Sequence, residues 1–490
     1  MSKNHLSKTK TGVIWSFINQ GGNQIISLLV TFILARLITP EEFGIIGMIA
    51  VFTNFAVIFV DFGFSTALIQ KKNMSKQDID TVFFVNVISG SFLSILFFVM
   101  APLIADFYGE PDLEIFSRAI SPIFLISSLS GVNKAITFKN LNIKLNSIIT
   151  LTTTLISSAT AITMAYYGFG VWSILSKMLV DQIAITILFL SFNPLSQSFS
   201  FNKSSFKGLF RFGSNVAGDA IINYWSRNAD NLLIGKYLGE GSLGIYTKAY
   251  AVMMLPLRSI SGVIAKVMFP SFSHLQDDIL QIRGIYLKST KLIAFITFPM
   301  MTGLAILAKP FVLVAFGENW VEMIPIISIL ALLGAIQSIL SLNGVIYNSL
   351  GKSHIAFRVS IGMSIINITA FIIGLKLGGL IGLVIAYALA GILTTLPNFY
   401  MAGKQIRVSI LDMLKNLSNA FFCAGSMAAG IIILKTYIIN PIGLSPVFNL
   451  IILSIFGAAL YFFIAYIFKF EEIQLAKRLL KKEKINDVEK

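Results

Sequence analysis

Apolar residues fall in fourteen long blocks separated by short polar stretches. A hydrocarbon core of about 30 Å needs about twenty apolar residues in a helix rising 1.5 Å per residue. Hydropathy and turn signals therefore predict spanning helices over 12–35, 44–68, 81–104, 113–134, 147–167, 170–192, 212–235 and 245–270. The series continues over 290–315, 321–348, 354–375, 380–402, 416–438 and 446–468. The connections are short, which leaves no extramembrane segment of the size that a polymerase or glycosyltransferase normally uses to hold its catalytic groups.

The pattern repeats. ILARLITPEEFGI (33–45) aligns without a gap on LIGKYLGEGSLGI (233–245), placing Arg36 on Lys236, Gly44 on Gly244 and Ile45 on Ile245. A second match sets Pro102, Gly109, Glu110 and Glu114 on Pro310, Gly317, Glu318 and Glu322. The repeat unit is six spans, an even number, so both halves share one orientation. Two such halves are expected to be related by a pseudo-two-fold axis along the membrane normal, with the substrate path between them. The reading is an all-α integral membrane protein with an N-terminal lobe over 1–200 and a C-terminal lobe over 201–405. Two extra helices cover 406–468, and a basic tail follows at 469–490. That tail is either a basic amphipathic helix on an anionic leaflet or a solvated end.

Polar residues inside the spans need a reason, because a charge at mid-bilayer costs roughly 2.5–3.5 kcal/mol. Span one carries Ser16, Asn19, Gln20, Asn23, Gln24 and Ser27 on one face. Span seven carries Asp219, Asn223, Ser226, Arg227 and Asp230 on one face. Facing stripes would line a wet central cavity, while the alternative is that these groups join helices. Arg258 lies mid-span after Pro256, with no carboxylate three or four positions away, and Lys248 and Lys266 flank it. Lys177 and Asp181 stand at i, i+4, the spacing of a structural ion pair. Arg118 lies near the outer end of span four, where snorkelling competes with binding.

The surplus of cations implies an anionic ligand, and the arginine fork suits phosphate. The candidate substrate-binding residues are Arg258, Arg227, Arg118, Lys177, Lys248, Lys266, Asn19, Asn23 and Asn223. The ion-coupling candidates are Asp219, Asp61 and Asp230, with helix capping the alternative for Asp61. Pro256 and Pro299 are expected to bend spans eight and nine.

Composition agrees with the span count. The 490 residues are 56% hydrophobic and 12% charged, against roughly 25% charged in soluble domains. One cysteine, Cys423, excludes an internal disulfide, and the three histidines lie far apart, so no metal or cofactor is expected. Lys3, Lys8 and Lys10 precede a long span without an A-x-A-like site, which reads as an uncleaved first helix. The net charge of +15 follows topology. Loops after even-numbered spans carry Lys71, Lys72, Lys139, Lys203, Lys207, Arg211, Lys352 and Arg407, whereas 105–114 on the other side holds only Asp106, Glu110, Asp112 and Glu114. This positive-inside alternation predicts that both termini are cytoplasmic and removes the case for nucleic-acid binding.

LARLITPEEFGIIGM, DFGFSTALIQ at 61–70 and DNLLIGKYLGEGSLGIYTKAYAVMMLP at 230–256 resemble the polysaccharide transporter family of the multidrug/oligosaccharidyl-lipid/polysaccharide exporters. The resemblance covers essentially the whole chain and is strongest to Wzx-type flippases of the colanic-acid and lipopolysaccharide-exporter branch. It implies transfer of an undecaprenyl-pyrophosphate-linked oligosaccharide between leaflets of the bacterial cytoplasmic membrane, with membrane lipids and polysaccharide polymerase machinery as partners. It also implies two six-helix lobes around a cationic cavity. Two alternatives remain. A drug/cation antiporter of the same superfamily would favour acidic and aromatic residues over Arg and Lys. A membrane-embedded glycosyltransferase or polymerase would need convergent carboxylates, which only the acidic segment 106–114 offers.

Overall fold

The computed structural model describes residues 3–194 and 197–470, leaving the predicted amphipathic helix of the tail outside the described residues. The described chain is helical throughout, without strands. Its helices are α1 (Lys3–Leu37), α2 (Pro40–Asp61), α3 (Phe64–Gln70), α4 (Lys76–Tyr108), α5 (Leu113–Ile120), α6 (Ile123–Lys139), α7 (Ile143–Tyr166), α8 (Val171–Phe192) and α9 (Lys203–Pro256). After a π turn at Leu257–Ser261 come α10 (Gly262–His274), α11 (Ile279–Ile306), α12 (Ala308–Ala315), α13 (Met323–Ser349), α14 (Ser353–Ile406), α15 (Ile410–Leu434), α16 (Asn440–Ile442) and α17 (Pro446–Ile467).

Twelve helical runs among the described residues are long and apolar enough to cross a membrane. Two of them, of 72 and 54 residues, hold two spans each. Gly239 (φ 80°, ψ −177°) interrupts the first, and Gly378 with Gly379 (φ 57°, ψ −136°) the second. At Gly239 and Gly379 the positive φ suits a residue without Cβ. Fourteen spans result.

Local chemistry sets the helix ends. Thr39 caps α2 in a reciprocal box with Glu42, and Pro40 takes the first turn, where a missing N–H costs nothing. Ser75 with Asp78 and Ser409 with Asp412 repeat the device at α4 and α15. The Lys71 ammonium at 2.8 Å and the Ser75 N–H at 2.9 Å both donate to the buried Asp78 carboxylate.

Three predicted spans differ from the structure. The block 44–68 breaks at Phe62 and Gly63, both left-handed, so α2 ends and α3 starts anew. The block 113–134 is divided at Ser121 and Pro122 into α5 and α6. The block 290–315 is displaced: α11 starts at Ile279, capped by Asp278, and stops at Ile306. Pro310 has no N–H for the Ile306 carbonyl, and the Lys435 ammonium fills that vacancy at 3.1 Å. Hydropathy averaged across a proline cannot register such a stop.

The chain forms two compact units, Met1–Gly244 and Ile245–Lys490. In the first, Phe64, Leu68, Val82, Val132, Ile136 and Leu209 form a core joining α3, α4, α6 and α9. Near the break at Gly239, a Cβ added to Gly44 would lie 1.7 Å from the Glu240 carbonyl oxygen. One added to Gly244 would lie 1.9 Å from that of Pro40. In the second unit a buried chain crosses three helices: Tyr286 donates to Asn343 (2.7 Å), which donates to Asn398 (3.0 Å). The last two spans pack on α11, where Tyr461 of α17 donates to the Phe295 carbonyl and Asn416 of α15 to that of Leu287.

Candidate functional site

In the first unit, α9 carries the charged stripe. Asp219, Asn223 and Arg227 are exposed, while Asp230 is buried and accepts from the Asn231 N–H at 2.8 Å. Tyr224 donates to the Val51 carbonyl at 2.5 Å and ties the stripe to α2. Arg227 forms no ion pair among the described residues, so Asp230 does not neutralise it there. The stripe of α1 is differently engaged. Asn23 donates to Asn19 within α1 at 2.6 Å, and Asn19 also accepts from Thr150 of α7 at 2.7 Å, so Asn19 joins the two helices.

The expected Lys177–Asp181 pair is not formed. Asp181 instead accepts from Ser157 of α7 at 3.4 Å, and Lys177 has no ion partner among the described residues. One helical turn places two side chains on a common face, but α7 offers Asp181 a competing donor. Arg118 pairs with Glu114 at 2.8 Å and lies 5.3 Å over the Phe98 ring. Asp61 caps α3, accepting from the Ser65 N–H (3.1 Å), the Ser65 hydroxyl (2.5 Å) and Asn86 (3.2 Å).

In the second unit, Arg258 lies in the π turn that follows Pro256, exposed and without an ion partner among the described residues. A π turn widens the backbone ring and is frequent at functional sites. Lys248 is half-buried and Lys266 exposed on the flanking segments. Pro299 lies within α11, which runs as one helix from Ile279 to Ile306, whereas Pro256 is followed directly by the π turn.

The charge-led reading missed an aromatic groove of about 950 Å³ in the first unit, walled by α2, α4 and α9. Its signal was legible: Phe52, Phe55, Phe59 and Phe62 recur at helical spacing along one face of the second span.

This architecture of fourteen spans and buried polar seams is that of a multi-pass membrane protein, and comparison with known proteins places its fold among those of membrane transporters. The chain belongs to the polysaccharide biosynthesis protein family, whose model matches residues 33–325. It is 27% identical to the lipopolysaccharide biosynthesis protein WzxC of Escherichia coli, over 81% of this chain and 82% of that one. It is 25% identical to the teichuronic acid biosynthesis protein TuaB of Bacillus subtilis, over 85% and 87%. Among solved structures, the lipid II flippase MurJ in an inward closed conformation aligns with a TM-score of 0.75 at 18% identity, covering 94% of this chain and all of that one. An inward-facing multidrug MATE transporter aligns at 0.64 and 15% identity, over 79% and 94%.

Proposed function

We propose that this protein is a flippase of the bacterial cytoplasmic membrane that moves an undecaprenyl-pyrophosphate-linked oligosaccharide from the cytoplasmic to the outer leaflet. Both termini face the cytoplasm, and the polysaccharide polymerase machinery takes up the product outside. The six-span lobes 1–200 and 201–405 enclose a cationic cavity and expose it alternately to the two sides.

The observation that carries this reading is the pair of arginines without ion partners, Arg227 and Arg258, in spans seven and eight. An uncompensated guanidinium in an apolar span is costly, and an anion entering from water removes that cost. Unassisted crossing would drag a pyrophosphate and several sugars through hydrocarbon, where each unpaired polar group costs several kcal/mol. The arginines replace water around the pyrophosphate, and the tail stays in apolar surroundings. A drug/cation antiporter has no use for two unpaired cations in its path.

The test is deletion of the gene and mass spectrometry of the lipid-linked glycans that accumulate. A complete glycan held in the inner leaflet is the expected result. Normal surface polysaccharide in the deletion strain would overturn the assignment.

A further inference from the structure

The aromatic groove of the first unit is unused by the charge-based mechanism. Ser89 is its one polar lining residue besides Trp225. The lining runs along α4 from Val85 to Phe107, which at 1.5 Å per residue is about 33 Å, the thickness of a hydrocarbon core. Phe92 and Leu103 on this wall are 62% and 61% exposed, so the groove is open along one side. In a spanning protein, exposed apolar surface of this kind meets lipid chains.

Cations mark both ends. On α9, the exposed Lys207 and Arg211 each follow directly after a lining phenylalanine, Phe206 and Phe210. At the far end Lys236 lies 5.0 Å over the Phe107 ring and donates to the Phe107 carbonyl. The complementary molecule has a very long apolar chain and an anionic head held at either end. A phospholipid acyl chain reaches through one leaflet only. A polyprenyl chain is long enough to fill the groove, and its methyl-branched double bonds pack against ring faces and edges.

We propose that this groove binds the polyprenyl tail of the lipid-linked substrate, and that Lys207 with Arg211, and Lys236, receive its phosphate at the two ends of transfer. The inference rests on the functional reading above and deepens it. The head is bonded to one end of the tail, so the tail turns end for end along the groove as the head group crosses, and cations receive the phosphate at whichever end it occupies.

The test uses the full-length protein in nanodiscs and an undecaprenyl phosphate carrying a photoreactive group along its chain. Crosslinks are expected in α2, α4 and α9, competed by unlabelled undecaprenyl phosphate and not by dioleoyl phosphatidic acid. Phe92→Ala combined with Leu103→Ala, both exposed on the groove wall, should lower that crosslinking about tenfold by removing apolar contact, with an unchanged melting temperature. Competition by phosphatidic acid at equal strength would make this a general lipid groove and overturn the proposal. Crosslinks confined to other helices would overturn it while leaving the flippase reading intact. No saturable labelling anywhere would sink both.

Discussion

Gly44 and Gly244, equivalent positions of the internal repeat, pack reciprocally, each against the carbonyl of the residue four before its counterpart. Such i-to-j and j-to-i contact is the mark of a local two-fold relation. It lets two backbones touch, because neither residue has a side chain. Gly44→Ala or Gly244→Ala should each cost about 1–3 kcal/mol, since the clash is with backbone. Gly425→Ala, where nothing lies within 4 Å of the added Cβ, should be neutral or slightly stabilising. Melting curves of the detergent-purified proteins decide this, and three equal midpoints would contradict the crossing.

Glu110, just past the end of α4, has its carboxyl pushed up from 4.5 to about 7. The cause is first its hydrogen bond with Glu240, then burial and the negative charges of Glu240 and Asp112. The folded chain therefore keeps this proton at pH values where the unfolded chain has released it. Its contribution to stability is full below about 4.5 and is lost as the pH rises through about 7. The melting temperature should fall over this window, and Glu110→Gln, neutral throughout, should flatten the fall. An unchanged slope in the variant would show that another group titrates.

Arg227→Ala and Arg258→Ala should reduce glycan export while membrane levels of the protein stay near normal. Arg258→Lys should restore export only in part, because a point charge replaces a two-pronged donor. Surface polysaccharide measured against immunoblots of the membrane fraction gives both quantities. Full export by Arg258→Ala would remove that residue from the head-group path.

Topology follows from loop charge. Reporters active only in the cytoplasm should give signal when fused at Lys139 or Lys352 and none at Asp112 or Gly379. Cytoplasmic signal from Asp112 would be incompatible with the orientation proposed.

The driving force has its own test. An inside-negative potential favours outward movement of an anion by about 2.3 kcal/mol per charge per 100 mV. Arginines that move with the substrate cancel part of this, and a carboxylate binding H⁺ or Na⁺ can then couple the return step. Asp219 is the leading candidate, exposed on α9, whereas Asp61 is occupied as a cap and Asp230 is buried. In reconstituted vesicles, Asp219→Asn should slow transport driven by pH or Na⁺ gradients. Transport that follows the potential alone, with a silent Asp219→Asn, would eliminate ion antiport.

Span number, the all-helical class and the repeat were legible along the chain. Each follows from local free energies: an apolar segment partitions into the bilayer on its own account, and a glycine at a fixed repeat position is visible as a letter. The acidic N3 partners of Thr39, Ser75 and Ser409 announce their caps within four residues. Pairing was decided by neighbours distant in sequence. Asn19 meets Thr150, Asp181 meets Ser157 in place of Lys177, and the Ile306 carbonyl freed by Pro310 finds Lys435. The aromatic groove depended on tertiary structure in the same way, because its helices come from separate stretches of the chain. A buried polar atom is satisfied by whichever donor packing brings within about 3 Å, and that partner has no fixed spacing in sequence.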